Sequence, residues 1–374
     1  MATPTSPVEL SPEPAQPPPV VTTQASIGSV GAMVGGTLAT ILPGFSTDSP
    51  LLVVSGVLSA AAVSGQQLVV RATAGSDIIG ETTLTLEAGA TAWQAQLPPL
   101  VDGTYDIVAL VREGNVLSSP SSAYRQKISG GAYDIDLVID TTPLIEFGLS
   151  STQIDAVLLA LDGAADRVSD IITGDLAALV LTETSSGTPR PVLIDDLVIR
   201  VDFFRGTQLG VLASAGPELI RSSNKLPVFG VMEFDLTDID FMLQNNLLQP
   251  VVIHEMAHVL GLGTLWELFG LNTQDGVPNG TAVGRYIGPN ALREYNTLLD
   301  AAGPGATDAT FVPLANEPGF AHWDEDLFGN ELMTPFVAPG ALPFSALSIG
   351  ALADLGYTVN YAAADAYSLI GVPA

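Results

Sequence analysis

This 374-residue chain holds only three histidines, and two of them stand four positions apart in the string PVVIHEMAHVLGLGTLW, residues 250–266. On a helix, that spacing puts His254 and His258 on one face, about one turn apart. Two imidazoles so placed can both reach one zinc ion at about 2.0–2.1 Å. Glu255, next to the first of them, is placed to hold a water at the metal rather than the metal itself. The chemistry such a set can do is hydrolysis, with Glu255 as general base. A solvated polar face is the competing reading of the same residues. Val251, Val252, Ile253, Val259 and Leu260 make the segment too apolar for it. Buried His and Glu side chains need partners, and a metal supplies one.

A catalytic zinc site takes three protein ligands and keeps one open position. The third histidine, His322 in AHWDEDLFGNELMTP, accounts for every imidazole in the chain. The competing third ligand is a carboxylate, Glu294 in NALREYNTLLD; Glu267 is too close to the first helix to fold back. With no cysteine present, disulfides, thiolate metal sites and cysteine nucleophiles are all excluded. A structural zinc site fills all four positions with protein ligands, and three histidines without cysteine argue against that closure.

These residues need elements to position them. Pro250 suits the first turn of a helix, and Gly261 can end it in the left-handed conformation. Residues 152–172 show apolar Ile154, Val157, Leu158, Leu161 and Ala165 at helical spacing. YDIDLVID, DDLVIRVDFF and VFGVMEFDL read as strands, and SALSIGALADLGY as a helix ended by Gly356. Helix and strand interleave without regular βαβ units, so residues 132–374 are expected to form an α+β domain. Ahead of it, residues 47–128 are a series of short β-rich runs separated by turn signals such as AGSD, VDGT and REGN. That pattern predicts an all-β antiparallel sandwich, the other part of a multidomain chain. Residues 1–46 are rich in Pro, Gly, Ser and Thr and are expected to be a disordered tail or linker; 25–42 is too broken by small residues to span a membrane.

The charge narrows the partners. Twelve basic residues stand against 40 acidic ones, a formal net charge of -28. That field repels nucleic acid and anionic membrane surfaces. It suits a soluble protein in a salty or calcium-containing exterior. Calcium could use the acidic runs DLTDID (235–240) and DEDLFGN (324–330), although neither has EF-hand spacing. No transmembrane anchor is evident, and the oligomeric state has no sequence signature.

Two family resemblances follow from these strings. DGTYDIVALVREGNVLSSPSS resembles the late strands of bacterial immunoglobulin-like repeats, which implies an immunoglobulin-like sandwich over 47–128. HEMAHVLGLGTLW, HWDEDLFGNELMTP and SALSIGALADLGYTVN resemble the leishmanolysin-like metzincins, and the likeness covers about 132–374. It implies a zinc metalloendopeptidase acting on proteins or peptides, secreted or at the cell surface. It also implies His322 as third ligand beyond a long insertion (262–321), and Met333 as the methionine of the turn beneath the zinc. The bacterial export route would be non-standard. Two departures stand out: a cysteine switch is impossible here, and no tyrosine follows Met333 at the second position. Tyr286 and Tyr295, inside the insertion, are candidate oxyanion donors. Strand GVMEFDL is the candidate for pairing with extended substrate. The rival reading is a non-enzymatic secreted adhesin, an immunoglobulin-like module beside a domain that merely holds zinc.

Overall fold

The computed structural model describes residues 20–184, 189–206, 210–276, 282–303, 308–338 and 340–369. The chain divides into two compact units. One comprises Met1–Val30, Leu51–Leu100 and Tyr105–Arg125; the other comprises Gly31–Pro50, Val101–Thr104 and Gln126–Ala374.

The first unit is all-β. Its central strand, Gln66–Ala74, pairs antiparallel with Asp77–Thr85 on one side and with Gly103–Glu113 on the other. A second sheet pairs Val53–Leu58 antiparallel with Ala92–Gln96. Alternation is clear in Ala92–Gln96, where Trp93 and Ala95 are buried between exposed neighbours. This is the period of two that a half-buried strand imposes. Leu68, Val70, Ile107, Ala109 and Val111 are wholly buried, and the Trp93 indole N–H donates to Val57 O at 3.2 Å.

The linker expected over 1–46 is corrected where it is described. Residues 1–19 lie outside the described residues, but Ala25–Val34 and Thr37–Ile41 are strands. Thr37–Ile41 gains a parallel partner from far along the chain, Arg190–Ile194. Ala32, Ala39 and Ile41 are fully buried. Small residues that read as linker fit strands once such a partner covers them. The segment Gly31–Pro50 therefore belongs to the second unit, so the boundary expected at residue 46 does not hold.

The second unit is built around a four-stranded sheet, ordered Ile135–Ile139, Leu197–Phe204, Pro227–Asp235, Ala213–Ile220. The first three strands run parallel, and the last is an antiparallel edge strand. The 21-residue helix Ser151–Ile171 opens with a reciprocal capping box between Ser150 and Gln153. It buries Val157, Leu161, Ala164, Val168 and Ile171, a helical stripe. It packs on the helix Leu248–Leu260, which in turn packs on the strands Ala213–Ile220 and Pro227–Asp235. Beyond residue 260, a small sheet joins Asn272–Gly276, Ala282–Tyr286 and Val312–Pro313. The helices Pro289–Ala302 and Ala346–Leu355 pack against each other. Trp266, Tyr286 and Trp323 interlock, with ring centroids 4.8–5.3 Å apart. That aromatic cluster seats the long insertion against the core on which His322 depends.

Candidate metal centre

The helix Leu248–Leu260 carries His254, Glu255 and His258, and buries Val251, Val252, Met256, Val259 and Leu260. Gly261 ends it at φ 111°, a left-handed conformation that costs a side-chain-bearing residue free energy. Its N–H donates to His258 O, and Leu262 N–H donates to Ala257 O. Two residues on, Gly263 (φ 75°) lies so close to Ala321 that a Cβ there would meet Ala321 O at 2.3 Å. The absent side chain lets the segment bearing His322 come in beside the end of the helix.

The three imidazoles converge. Nε2 of His254 lies 3.0 Å from Nε2 of His258 and 3.2 Å from Nε2 of His322, and the last two are 3.0 Å apart. The other ring nitrogens decide what this means. Nδ1 of His254 lies 2.7 Å from Leu332 O, and Nδ1 of His258 lies 2.8 Å from Leu262 O. A carbonyl oxygen only accepts, so each Nδ1 carries the proton and each Nε2 presents a lone pair. Nδ1 of His322 meets Glu317 Oε1 at 2.5 Å, a carboxylate acceptor that sets the same tautomer. Three lone pairs therefore face one point and cannot hydrogen-bond one another. Tetrahedral ligands about 2.0–2.1 Å from an ion stand about 3.3–3.4 Å apart, close to the separations here. The donor set fits a zinc ion, and each ligand already has the outer partner that metal-binding histidines ordinarily have.

Electrostatics agree with neutral His254 and His258. Burial, then the charges of His258 and His322, push His254 well below the usual histidine range. Burial, then His322, pushes His258 down to about 4. Burial raises the Glu255 carboxyl to about 8. Glu317 is held below the usual range: burial opposes this, but the hydrogen bond and charge of His322 outweigh it.

Met333 is buried at the turn after Leu332. Its carbonyl accepts from Trp323 N–H at 3.0 Å, so one turn holds both His254, through Leu332 O, and the residue after His322. The turn is anchored by Glu331, fully buried, which accepts from Met333 N–H (2.6 Å), Ser345 Oγ (2.6 Å) and Ser348 Oγ (2.7 Å). The sequence did not single out Glu317 or Glu331. Their only signal was an acidic residue five positions before His322 and another two before Met333.

The histidines open into a cleft of about 530 Å³ lined by His254, Glu255, His258 and His322, by residues 210–215 of the edge strand and its approach, and by Leu332 and Phe336. Three sequence expectations are corrected here. Residues 230–235 of GVMEFDL lie in Pro227–Asp235, which is paired on both sides and has no free edge; Ala213–Ile220 is the edge strand beside the cleft. Tyr286 is fully buried and donates to Asp354, and Tyr295 packs on Phe328, so neither lines the cleft. Glu294 lies outside the histidine cluster and pairs with Arg293.

No protein-family model matches the chain, and none of the curated proteins matches it. Solved structures similar to parts of it include the following two. One is the ligand binding region of serine-glutamate repeat protein A of Enterococcus faecium, at 7% identity and TM-score 0.20, covering 29% of this chain and 99% of that one. The other is the BSP domain of a biofilm associated protein, at 15% identity and TM-score 0.16, covering 29% of this chain and 25% of that one. Likeness at these scores carries no argument about this chain. Among the described residues, no helix is long and apolar enough to cross a membrane.

Proposed function

We propose that the chain is a zinc-dependent endopeptidase of the leishmanolysin-like metzincin kind, its zinc held by His254, His258 and His322. The observation that carries this reading is the convergence of three Nε2 lone pairs beside Glu255 in an open cleft. When bound, zinc supplies Lewis acidity to a water and to the scissile carbonyl. Burial raises Glu255, but the charge of a bound cation beside it would favour its carboxylate form, which would take a proton from the attacking water and pass a proton to the leaving amine. Leu332 O, Leu262 O and Glu317 hold the three rings in the ligating tautomer. Extended substrate lies along the free edge of Ala213–Ile220 by backbone pairing. The all-β unit is an immunoglobulin-like spacer, and the protein works outside the cell or on its surface.

The rival reading keeps the zinc and drops the turnover, leaving an adhesin. The open cleft beside Glu255 favours the enzyme, because a purely structural ion is closed in by protein ligands. The test is zinc content measured together with cleavage of a quenched peptide, for the native chain and for Glu255→Gln. The enzyme reading expects one zinc in both and cleavage only in the native chain. Cleavage undiminished in Glu255→Gln rejects the mechanism, and zinc without cleavage in the native chain favours the adhesin.

A further inference from the structure

A second convergence lies in the same unit, away from the histidines. Asp48, Asp175 and Asp195 each offer a carboxylate oxygen, and these oxygens all lie within 4.8 Å of one another. The three come from separate connections. Asp48 follows the short strand Ser46–Thr47, Asp175 follows the helix Ser151–Ile171, and Asp195 lies between the strands Arg190–Ile194 and Leu197–Phe204. Two oxygens bound to one calcium ion at about 2.4 Å can be no more than about 4.8 Å apart, so the spacing suits that ion.

Acidic residues gather on protein surfaces without any ion, so the cluster alone would mean little. Asp195 is different, being only 1% exposed. Its Oδ2 accepts from Asp48 N–H at 2.7 Å, while its Oδ1 is buried with no hydrogen-bond partner. A buried carboxylate oxygen without a donor is costly, and a bound cation is the partner that satisfies it. The nearby protein cation does not fill this role. Arg221 directs Nη1 to Ala177 O, and Nη2 to the backbone carbonyls of Asp195 and Asp196. Asp48 Oδ1 is held from outside the cluster by Gly131 N–H and the Ser129 hydroxyl, which fixes that carboxylate in place. Burial, then the charge of Asp48, raises the pKa of both Asp175 and Asp195, the latter to about 7. The acidic runs at 235–240 and 324–330 bring no three carboxylates together among the described residues: Asp235 accepts from Gly206 and Thr237 N–H groups, and Asp324 caps the helix Glu325–Phe328.

We propose that Asp48, Asp175 and Asp195 form a calcium site that ties three distant segments of this unit together. An all-oxygen, carboxylate-rich set selects a hard cation, and water completes the six to eight ligands calcium takes. The ion would clip the segment Gly31–Pro50 to the connections on either side of the strands Leu179–Glu183 and Arg190–Ile194.

The test is equilibrium dialysis of radioactive calcium against the full zinc-loaded chain at about 0.15 M salt, which screens loose binding to a highly acidic surface. The site predicts one saturable ion per chain with Kd below about 1 mM. It also predicts a melting temperature about 2–4 °C higher in saturating calcium. Asp175→Asn, at an exposed position, and Asp48→Asn should each weaken binding about tenfold or more, whereas Asp77→Asn, exposed in the other unit, should not. The double variant His254→Ala/His258→Ala should keep its calcium, which separates this site from the zinc reading. Absence of a saturable ion overturns the proposal. So does equal weakening by Asp77→Asn, or native affinity in Asp48→Asn and Asp175→Asn chains that still melt cooperatively.

Discussion

The histidine triad and the aspartate triad of the second unit solve similar geometric problems with different means. Each brings three potential ligands, at least one of them distant in the chain from the others, to one point. The histidines arrive neutral, with every Nδ1 already bonded to an acceptor, so the only unanswered group on each ring is the lone pair aimed inward. The aspartates arrive with charges that repel, and Asp195 keeps a buried oxygen without a donor. Two of the three histidines share one helix face, so helical periodicity does most of the work of convergence. The aspartates sit on three connections, and nothing local relates them. A metal-binding site built on a helix announces itself in the sequence; one built on loops does not.

The sharpest way to break the comparison is to remove a histidine. His322→Ala should lower zinc affinity by more than about 100-fold and abolish cleavage, measured by competition with a chromogenic chelator and by peptide turnover. Full zinc affinity in that variant would mean that the lone pairs do not act as a set. Glu255→Gln should leave zinc content unchanged while cutting kcat/KM by about 10²–10⁴-fold. That split would separate chemistry from metal holding within the same triad.

Smaller effects test the outer partners. Glu317→Gln keeps an oxygen near His322 Nδ1 but removes the carboxylate charge, and should cost about 10-fold in zinc affinity; Glu317→Ala should cost up to about 100-fold. Equal affinities in all three forms would show that the outer carboxylate does not prepare the ligand. The smallest effect concerns a buried carboxylate in neither triad. Asp136 accepts from the Ser46 N–H and hydroxyl, yet burial raises it to about 7. A folded pKa above the unfolded value of about 3.9 means the native state holds the proton more tightly. Its contribution to stability is therefore complete below about pH 4 and is lost as pH rises through about 7. Denaturant melts of the native chain should show stability falling as pH rises from about 4 to 7, and Asp136→Asn should reduce that slope without abolishing it, because Asp195 and Glu255 are raised into the same range. An unchanged slope in Asp136→Asn would assign the pH dependence to other groups.

Much of the positioning machinery was legible without coordinates. The helices over 151–171, 248–260 and 346–355 follow from apolar spacing and from glycines just past two of their ends. The strands at 135–139, 197–204 and 227–235 follow from β-branched and aromatic runs. Their order in the sheet did not follow. Ala213–Ile220 is the edge strand and Pro227–Asp235 is interior because of pairings that no single segment encodes. Residues 37–41 were misread for the same reason, since their small side chains suit a strand once Arg190–Ile194 lies alongside.

By itself, the sequence determined the candidate ligands, the register that puts His254 and His258 on one face, and the glycine that stops their helix. These depend on backbone geometry within a few residues. The sequence nominated His322, but only the tertiary structure brought it to the other two histidines, set the tautomers through Glu317, Leu262 and Leu332, and brought Asp48, Asp175 and Asp195 together. Those arrangements depend on loop closure and packing over separations of up to 147 residues, where local propensity carries no information.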